Sequence, residues 1–132
     1  MKQAKSVFLS TTELKALKKI GDIIIPENNP FPSFSQTACI QHIDDVLSFL
    51  CDKDLADLKA LLRFNAFLPT SIVSLALRLM NSSLLSIFRL VSLGLKGLIM
   101  TLYYSNKTGI DYKGKQPYDI IDYHVHVIPK NT

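Results

Sequence analysis

The sequence predicts a single all-α domain, and three features carry that prediction. Apolar residues recur at helical spacing along most of the chain. Capping patterns precede the first two of these segments, and prolines separate them. A chain of 132 residues is long enough to form one core without disulfides or metal. We expect a bundle of four to five helices over residues 1–105, then a loop and extended tail over 106–132 that packs on the domain or on a partner.

The first helix is expected to begin with a capping box, in which Ser10 is the cap and Glu13 reaches back from the third helical position. Leu9 and Leu14 flank the cap as a hydrophobic staple. The apolar stripe of this helix consists of Leu14, Leu17, Ile20 and Ile24. Proline disfavours the α conformation in the residue before it, so the helix should end before Pro26.

A turn-rich connector over residues 26–34 leads to a second capping pattern at Ser33 and Gln36. The helix expected after it carries the stripe Ile40, Ile43, Leu47 and Leu50. Cys39 and Cys51 would lie on this one helix with their Cα atoms about 18 Å apart, too far for a disulfide. We therefore expect two reduced, buried thiols.

A third helix should run from about Asp54 to Phe67, and Pro69 should open a fourth. The apolar positions of the third helix are Leu55, Leu58, Leu61 and Leu62. The chain then becomes markedly apolar over residues 71–105. Its longest uncharged run there has ten residues, between Arg78 and Arg89, whereas a transmembrane helix needs about 20. No membrane span is expected.

A polar stripe crosses this apolar region at helical spacing. Its members are Arg78, Ser82, Ser86, Arg89, Ser92 and Lys96. Three interpretations stay open: the solvated edge of a core helix, a contact with an acidic partner, and a helix in a membrane interface. A break at residues 81–83 would place Arg78 on a separate helix.

The tail contains His124 and His126 in the string His-Val-His-Val-Ile-Pro. Alternating histidines on a strand can bind a metal ion. The string also resembles the end of the histidine-triad hydrolase motif, although Asp122 stands where that motif has a third histidine. The remaining interpretation is a strand or extended tail over residues 118–128. As a strand, it would add to the edge of a sheet in the partner.

Other features argue against catalysis and nucleic-acid binding. Asp44 and Asp45 are adjacent and diverge around a helix, His42 reads as structural, and no nucleophile has a recognisable base beside it. A net charge of +4, without alternating basic and aromatic residues, is not typical of a nucleic-acid platform. We expect no catalytic, cofactor-binding or metal site. No export signal is visible, which predicts a cytoplasmic protein.

Two stretches resemble a known family. Phe8-Leu9-Ser10-Thr11-Thr12-Glu13-Leu14 and Gly21-Asp22-Ile23-Ile24-Ile25-Pro26 look like the opening of the gluconate 2-dehydrogenase subunit 3 family. Tyr103-Tyr104-Ser105 and Gly109-Ile110-Asp111-Tyr112-Lys113-Gly114 are similar to the N-terminal helical region of long-chain alcohol oxidases, which carry the same module fused to a flavin domain. In that region a glycine stands where this chain has Asp111.

The resemblance implies a non-catalytic small subunit in a heteromer. It would bind and stabilise an FAD-dependent alcohol or sugar dehydrogenase of the glucose–methanol–choline type, with FAD in the partner and electrons passing to a cytochrome subunit or another acceptor. Exported members carry a twin-arginine signal, which is not visible here, so a periplasmic address would need a signal removed or supplied by a partner.

The expected interface comprises the apolar helix from about Leu84 to Tyr104 and the loop after it, because interfaces favour aromatic anchors and arginine. Its candidate residues are Arg78, Arg89, Lys96, Tyr103, Tyr104, Tyr112 and Tyr118. The alternative function is that of a helical protein that binds a membrane surface through the three cationic residues of the polar stripe.

Overall fold

The computed structural model describes residues 5–82, 86–105 and 107–122, with the backbone alone described for residues 77, 79–82 and 86–89. The elements in chain order are α1 (Thr11–Ile24), a 3-10 helix (Cys39–His42), α2 (Ile43–Leu47), α3 (Asp52–Ala66), α4 (Thr70–Ser82), α5 (Ser86–Tyr103) and α6 (Pro117–Ile120). Within those described ranges no strand is present, and an isolated bridge joins Asn28 to Phe31. The all-α prediction is confirmed.

The predicted capping box starts α1. Ser10 Oγ accepts a hydrogen bond from the Glu13 backbone N–H at 3.3 Å, and Glu13 Oε2 accepts one from the Ser10 N–H at 2.9 Å. Leu9 and Leu14 are both buried, as the hydrophobic staple requires. The helix ends at Ile24, before Pro26. Local sequence therefore determines both ends of α1.

α1 contacts α3, α4 and α5, so it lies at the centre of the helical arrangement. Its Lys19 side chain reaches the carboxyl end of α3, where Nζ donates hydrogen bonds to the carbonyl oxygens of Asn65, at 3.1 Å, and of Leu68. These carbonyls lie at the negative end of the α3 dipole, where a cation is favoured. Lys19 thus joins the two helices.

The second expected helix is shorter than predicted and begins as a 3-10 helix. Ser33 and Gln36 do exchange the predicted hydrogen bonds, at 2.8 and 3.4 Å, but only a turn follows them. Ala38 has φ 53°, a left-handed conformation that an α-helix of L-residues does not tolerate. The chain instead forms the 3-10 helix and the five-residue α2. A helical segment is therefore present, but it starts at Cys39 rather than after Ser33, begins as a 3-10 helix and ends at Leu47, so the predicted extent was wrong.

The two cysteines consequently lie in different elements. Cys39 is buried in the 3-10 helix, whereas Cys51 is exposed and directly precedes α3. Both thiols are free, and burial raises the pKa of the Cys39 thiol. The expectation of a buried thiol is right for Cys39 and wrong for Cys51.

The later helices follow the predicted boundaries closely. α3 begins at Asp52, two residues before the expected start, and ends at Ala66. The carbonyl oxygen of Pro69 accepts hydrogen bonds from the N–H groups of Ile72 and Val73, at 3.0 and 3.2 Å, so the proline lies directly before the first turn of α4. Pro69 therefore introduces the fourth helix, which starts one residue later.

The long apolar region forms two helices. α4 ends at Ser82 and α5 begins at Ser86, so Arg78 lies on a different helix from Lys96. The two helices contact each other and both contact α1. The six-residue polar stripe therefore does not run along a single helix.

The core lies between α1, α5 and the segment of residues 34–47, and α3 and α4 contribute the buried side chains of Leu62 and Val73 to it. Phe34 is fully buried against α1, and it approaches the helix backbone at Gly21. A Cβ atom added at Gly21 would overlap the Phe34 ring. Gly21 is therefore a packing glycine, which allows the ring to cross the helix closely.

The tail departs from the predicted strand at its start. Tyr118 lies in α6, a single turn that begins at Pro117. Gln116 and Asp119 bracket this turn with a capping pattern, which favours a helical turn over an extended strand. Residues 121 and 122 form a turn, and the part of the predicted strand from residue 123 on, with His124 and His126, lies outside the described residues.

Candidate protein-binding surface

α5 has one buried side, which faces the rest of the domain. The residues on it are at most 5% exposed and are Ser92, Leu95, Ile99, Leu102 and Tyr103. Ser92 belongs to the polar stripe of the sequence but is only 2% exposed, and Lys96 is half-buried. The interpretation of that stripe as a solvated edge is therefore wrong for this part of α5.

The opposite side of α5 is apolar and exposed. Leu90 and Leu93 are 67% and 68% exposed, Met100 is 41% exposed and Tyr104 is 37% exposed. Gly97 is exposed between them. These five residues follow one another at intervals of three, four, three and four, which places them along one line of the helix. We name them the α5 apolar stripe.

Two glycines leave a gap along this stripe. A Cβ atom added at Gly94 or at Gly97 would meet no atom within 4 Å. The backbone of α5 is therefore open to the outside at the middle of the stripe. Glycine is less favourable than alanine inside a helix. No packing among the described residues requires glycine at either position, so the two glycines lower the stability of α5 and no contact in the described part of the chain compensates for it.

Tyr103 does not belong to this surface. It is 2% exposed, and its hydroxyl donates a hydrogen bond to the Pro32 carbonyl oxygen at 2.6 Å. Burial raises the pKa of Tyr103 to about 12. The side chain is buried and bonded within the chain, so Tyr103 is not available to a partner and is removed from the candidate interface.

Tyr104 lies at the end of the α5 apolar stripe and rests on Tyr103. The two ring centroids are 4.9 Å apart and the ring planes meet at 84°, an edge-to-face arrangement. The buried ring thus supports the exposed one. Tyr104 is the predicted aromatic anchor that the structure places on the exposed side of α5.

The loop after α5 packs on the segment before α2. The Gly109 N–H donates to the Thr37 carbonyl oxygen at 2.9 Å, and the His42 Nε2 atom lies 3.2 Å from the Thr108 carbonyl oxygen. Lys107 Nζ pairs with Asp45 Oδ2 at 3.0 Å. A Cβ atom at Gly109 would collide with Ala38, so this close approach requires glycine.

The other predicted interface residues are scattered. Tyr112 is half-buried, and its hydroxyl closes its own loop by donating to the Lys115 carbonyl oxygen at 2.7 Å. Burial raises the pKa of Tyr112. Arg78 is exposed on α4 and Tyr118 is half-buried on α6, while the side chain of Arg89 lies outside what the structure describes.

Asp111 fits the loop in which the resembling proteins have glycine. The non-glycine residues with positive φ in the described ranges are Ala38 and Asp122. The backbone at Asp111 therefore lies outside the left-handed region, and no glycine is needed there.

The acidic residues of the α2 region have structural partners. Asp44 accepts hydrogen bonds from Ser6 Oγ and from the Val7 N–H, whereas Asp45 pairs with Lys107 on the opposite side. The two carboxylates therefore diverge, as adjacent helical residues must. Among the described residues, no group of three His, Cys, Asp or Glu side chains is arranged to hold a metal ion.

A second exposed apolar cluster lies at the end of α3 and in α4. Its members are Phe64 (69% exposed), Phe67 (86%), Ile72 (48%) and Leu75 (57%). Sequence reasoning missed it, because helical spacing alone does not show which apolar side of a helix is covered. In the part of the chain that the structure describes, no helix is both long and apolar enough to cross a bilayer.

Comparison with protein-family models, with curated proteins and with solved structures gave no match to this chain.

Proposed function

We propose that this chain is a non-catalytic small subunit, which binds and stabilises an FAD-dependent dehydrogenase of the glucose–methanol–choline type. One observation carries the binding role: α5 exposes the α5 apolar stripe from Leu90 to Tyr104 on the side that faces away from the domain. Apolar side chains that lie together on the surface of a soluble protein usually mark an interaction site. The resemblance of the sequence to small dehydrogenase subunits supplies the class of partner.

Several of the residues that carry the resemblance make contacts that stabilise the fold of this chain. Glu13 completes the capping box of α1, and Asp22 Oδ1 accepts a hydrogen bond from the Ser35 N–H at 2.8 Å. Tyr103 and Gly109 attach α5 and its loop to the segment of residues 32–38. A shared pattern of such residues supports a shared scaffold, whose role is to present a surface.

In this proposal the redox chemistry belongs to the partner. The large subunit would bind FAD and oxidise an alcohol or a sugar, and its electrons would pass to a cytochrome subunit or another acceptor. This chain would contribute no catalytic residue.

Co-expression with an FAD-dependent dehydrogenase of the glucose–methanol–choline type from the same genome tests the proposal. The small subunit carries an affinity tag, and the eluate is examined by size-exclusion chromatography and by absorbance. We expect a yellow complex with stoichiometric subunits and flavin bands. A colourless, monodisperse small subunit that leaves the flavoprotein in the flow-through would contradict the proposal.

A membrane-surface protein is the second candidate, and the end of α3 favours it. Phe64 and Phe67 are exposed beside Arg63, whose side chain is 64% exposed. Aromatic and cationic side chains together suit an anionic lipid surface. Co-sedimentation with vesicles containing phosphatidylserine should then occur and should weaken with salt. Equal sedimentation with neutral vesicles, or none at all, would count against this candidate.

A further inference from the structure

The α5 apolar stripe has the geometry of a seam for one more helix. Its intervals of three and four residues are those of the a and d positions of a coiled coil. From Leu90 to Tyr104 the seam is about 21 Å long, at about 1.5 Å per residue. A partner helix of about four turns would cover it. A narrow seam of this kind suits a helix better than a flat surface.

The gap at the glycines favours the same occupant. Small residues let two helix backbones approach closely, because no side chain separates them. Gly97 lies on the seam and Gly94 beside it, and both are open to the outside. The bulkier members lie on either side, with Leu93 before the gap and Met100 after it. A helix that binds a lipid surface is held there by the burial of apolar side chains. Glycines at the centre of the contact would reduce that buried area, so they do not favour a membrane contact.

The charges define the chemistry of the partner helix. Between Asp57 and Asp111 the chain has six basic residues and no acidic one. The six are Lys59, Arg63, Arg78, Arg89, Lys96 and Lys107, of which Arg63 pairs with Glu13 and Lys107 with Asp45 inside the chain. Arg89 precedes Lys96 by seven residues, so by register both lie on the same flank of α5. A second copy of this chain would bring cationic helices together, which is unfavourable.

We propose that the α5 apolar stripe is the docking site for an amphipathic helix of the flavoprotein subunit, with acidic residues beside its apolar line. The inference rests on the proposed function and adds the site and the kind of element that fills it. Leucine or methionine side chains of the partner helix would pack around Gly97. Its carboxylates would face the flank that carries Lys96.

Photo-crosslinking in the co-expressed complex locates the site. Benzoylphenylalanine replaces Leu93 in one sample and Phe49, which is 90% exposed in the α2–α3 turn, in a control sample. We expect the probe at position 93 to link to a flavoprotein peptide that forms an acidic amphipathic helix, and the probe at position 49 to give little or no such product.

The possible failures are distinguishable. If the yellow complex forms but the Leu93 probe links to this chain itself, to a second copy or to a non-helical peptide, the docking site is refuted and the proposed function stands. The same holds if the probe gives no product in a complex that forms. If no complex forms, both the docking site and the proposed function are refuted.

Gly97→Leu separates a helix partner from a lipid surface. The side chain enters open space, so the fold should be retained, but it fills the gap that a partner backbone needs. We expect at least a tenfold weaker complex, with unchanged or higher thermal stability of the isolated chain. Stronger binding to phosphatidylserine vesicles, with undiminished affinity for the flavoprotein, would overturn the proposal and indicate a membrane contact.

Discussion

Glu13 joins the first turn of α1 to the last turn of α3, because its Oε1 atom accepts a hydrogen bond from Arg63 Nε at 2.7 Å. The other carboxylate oxygen accepts the Ser10 N–H within the capping box. Glu13 is fully buried, whereas the Arg63 side chain is 64% exposed. One carboxylate therefore both caps a helix and connects two helices.

Replacement of Glu13 should separate these two roles. Glu13→Gln retains a capping-box residue and loses the charge, so we expect a loss of about 1 kcal/mol, since the exposed Arg63 is screened by water. Glu13→Ala also leaves the Ser10 N–H unpaired, and its loss should be about 2–3 kcal/mol. Urea denaturation followed by circular dichroism gives both values. The exposed Thr12→Ala is the control, and equal losses for the two Glu13 variants would contradict this division.

The same carboxylate predicts acid sensitivity. Desolvation raises the pKa of Glu13, but the Ser10 N–H and the Arg63 guanidinium outweigh it, so the pKa is lowered from 4.5. A depressed folded-state pKa contributes stability above the unfolded-state pKa, which is lost as the pH falls through the folded-state value. The stability gap between wild type and Glu13→Gln should therefore narrow on acidification below about pH 4.5. Urea midpoints at pH 7 and pH 3 measure it, and a gap of constant size would refute the assignment.

Gly21→Ala should destabilise the chain although it lies within a helix. The added methyl group overlaps the fully buried Phe34 ring, and overpacking of a core costs about 1–3 kcal/mol. Gly94→Ala is the matched control, because its methyl group meets nothing and should stabilise α5 by about 0.5–1 kcal/mol. Thermal unfolding of both variants gives the comparison. If both variants were more stable than the wild type, the Phe34 ring would have moved to accommodate the methyl group, and the prediction would be wrong.

Loss of the Lys19 side chain should weaken the contact between α1 and α3. Lys19→Met keeps most of the aliphatic stem and removes the donor to Asn65 and Leu68, so we expect a loss of about 1 kcal/mol. The neighbouring Lys18 is exposed, and Lys18→Met should change stability by less than about 0.5 kcal/mol. Chemical denaturation distinguishes the two lysines.

Substitutions of the adjacent tyrosines should differ in their effect on binding. Tyr103→Phe removes the hydrogen bond to Pro32 and should cost about 1 kcal/mol of stability, with little effect on the complex. Tyr104→Ala loses the edge-to-face contact with Tyr103, which should cost about 0.5–1.5 kcal/mol of stability, and it should also weaken the complex by about 1–2 kcal/mol, since Tyr104 is an exposed anchor. Thermal unfolding and titration calorimetry test the pair. An unchanged affinity for Tyr104→Ala would remove this residue from the interface.

Sequence patterns predicted the fold well where a local interaction determines the structure. The capping box at Ser10 and the position of Pro69 are local, and both gave correct helix boundaries. The left-handed turn at Ala38 was not predictable, because alanine has no local preference for it and Gly109, far along the chain, packs against it.

The candidate surface was predicted only in outline. Apolar residues surround most of α5, so periodicity could not tell the covered side from the exposed one. The serine at position 92 suggested the wrong side, and Tyr103 and Tyr104 looked equivalent until their burial was known. The intervals from Leu90 to Tyr104 and the glycine among them were the available signal for the exposed side.

Ionisation of the Tyr103 phenol at alkaline pH can be followed by absorbance, and it should report on the contact between α5 and Pro32. The Tyr103 pKa of about 12 lies above the ordinary value of 10.0 because the phenol is buried, so the buried, protonated phenol contributes stability that is complete below pH 10 and is lost as the pH rises toward 12. An exposed phenol ionises earlier than this one. The last tyrosinate absorbance to appear in an alkaline titration should therefore coincide with the loss of helical signal, and so report the release of α5 from the connector that holds Pro32.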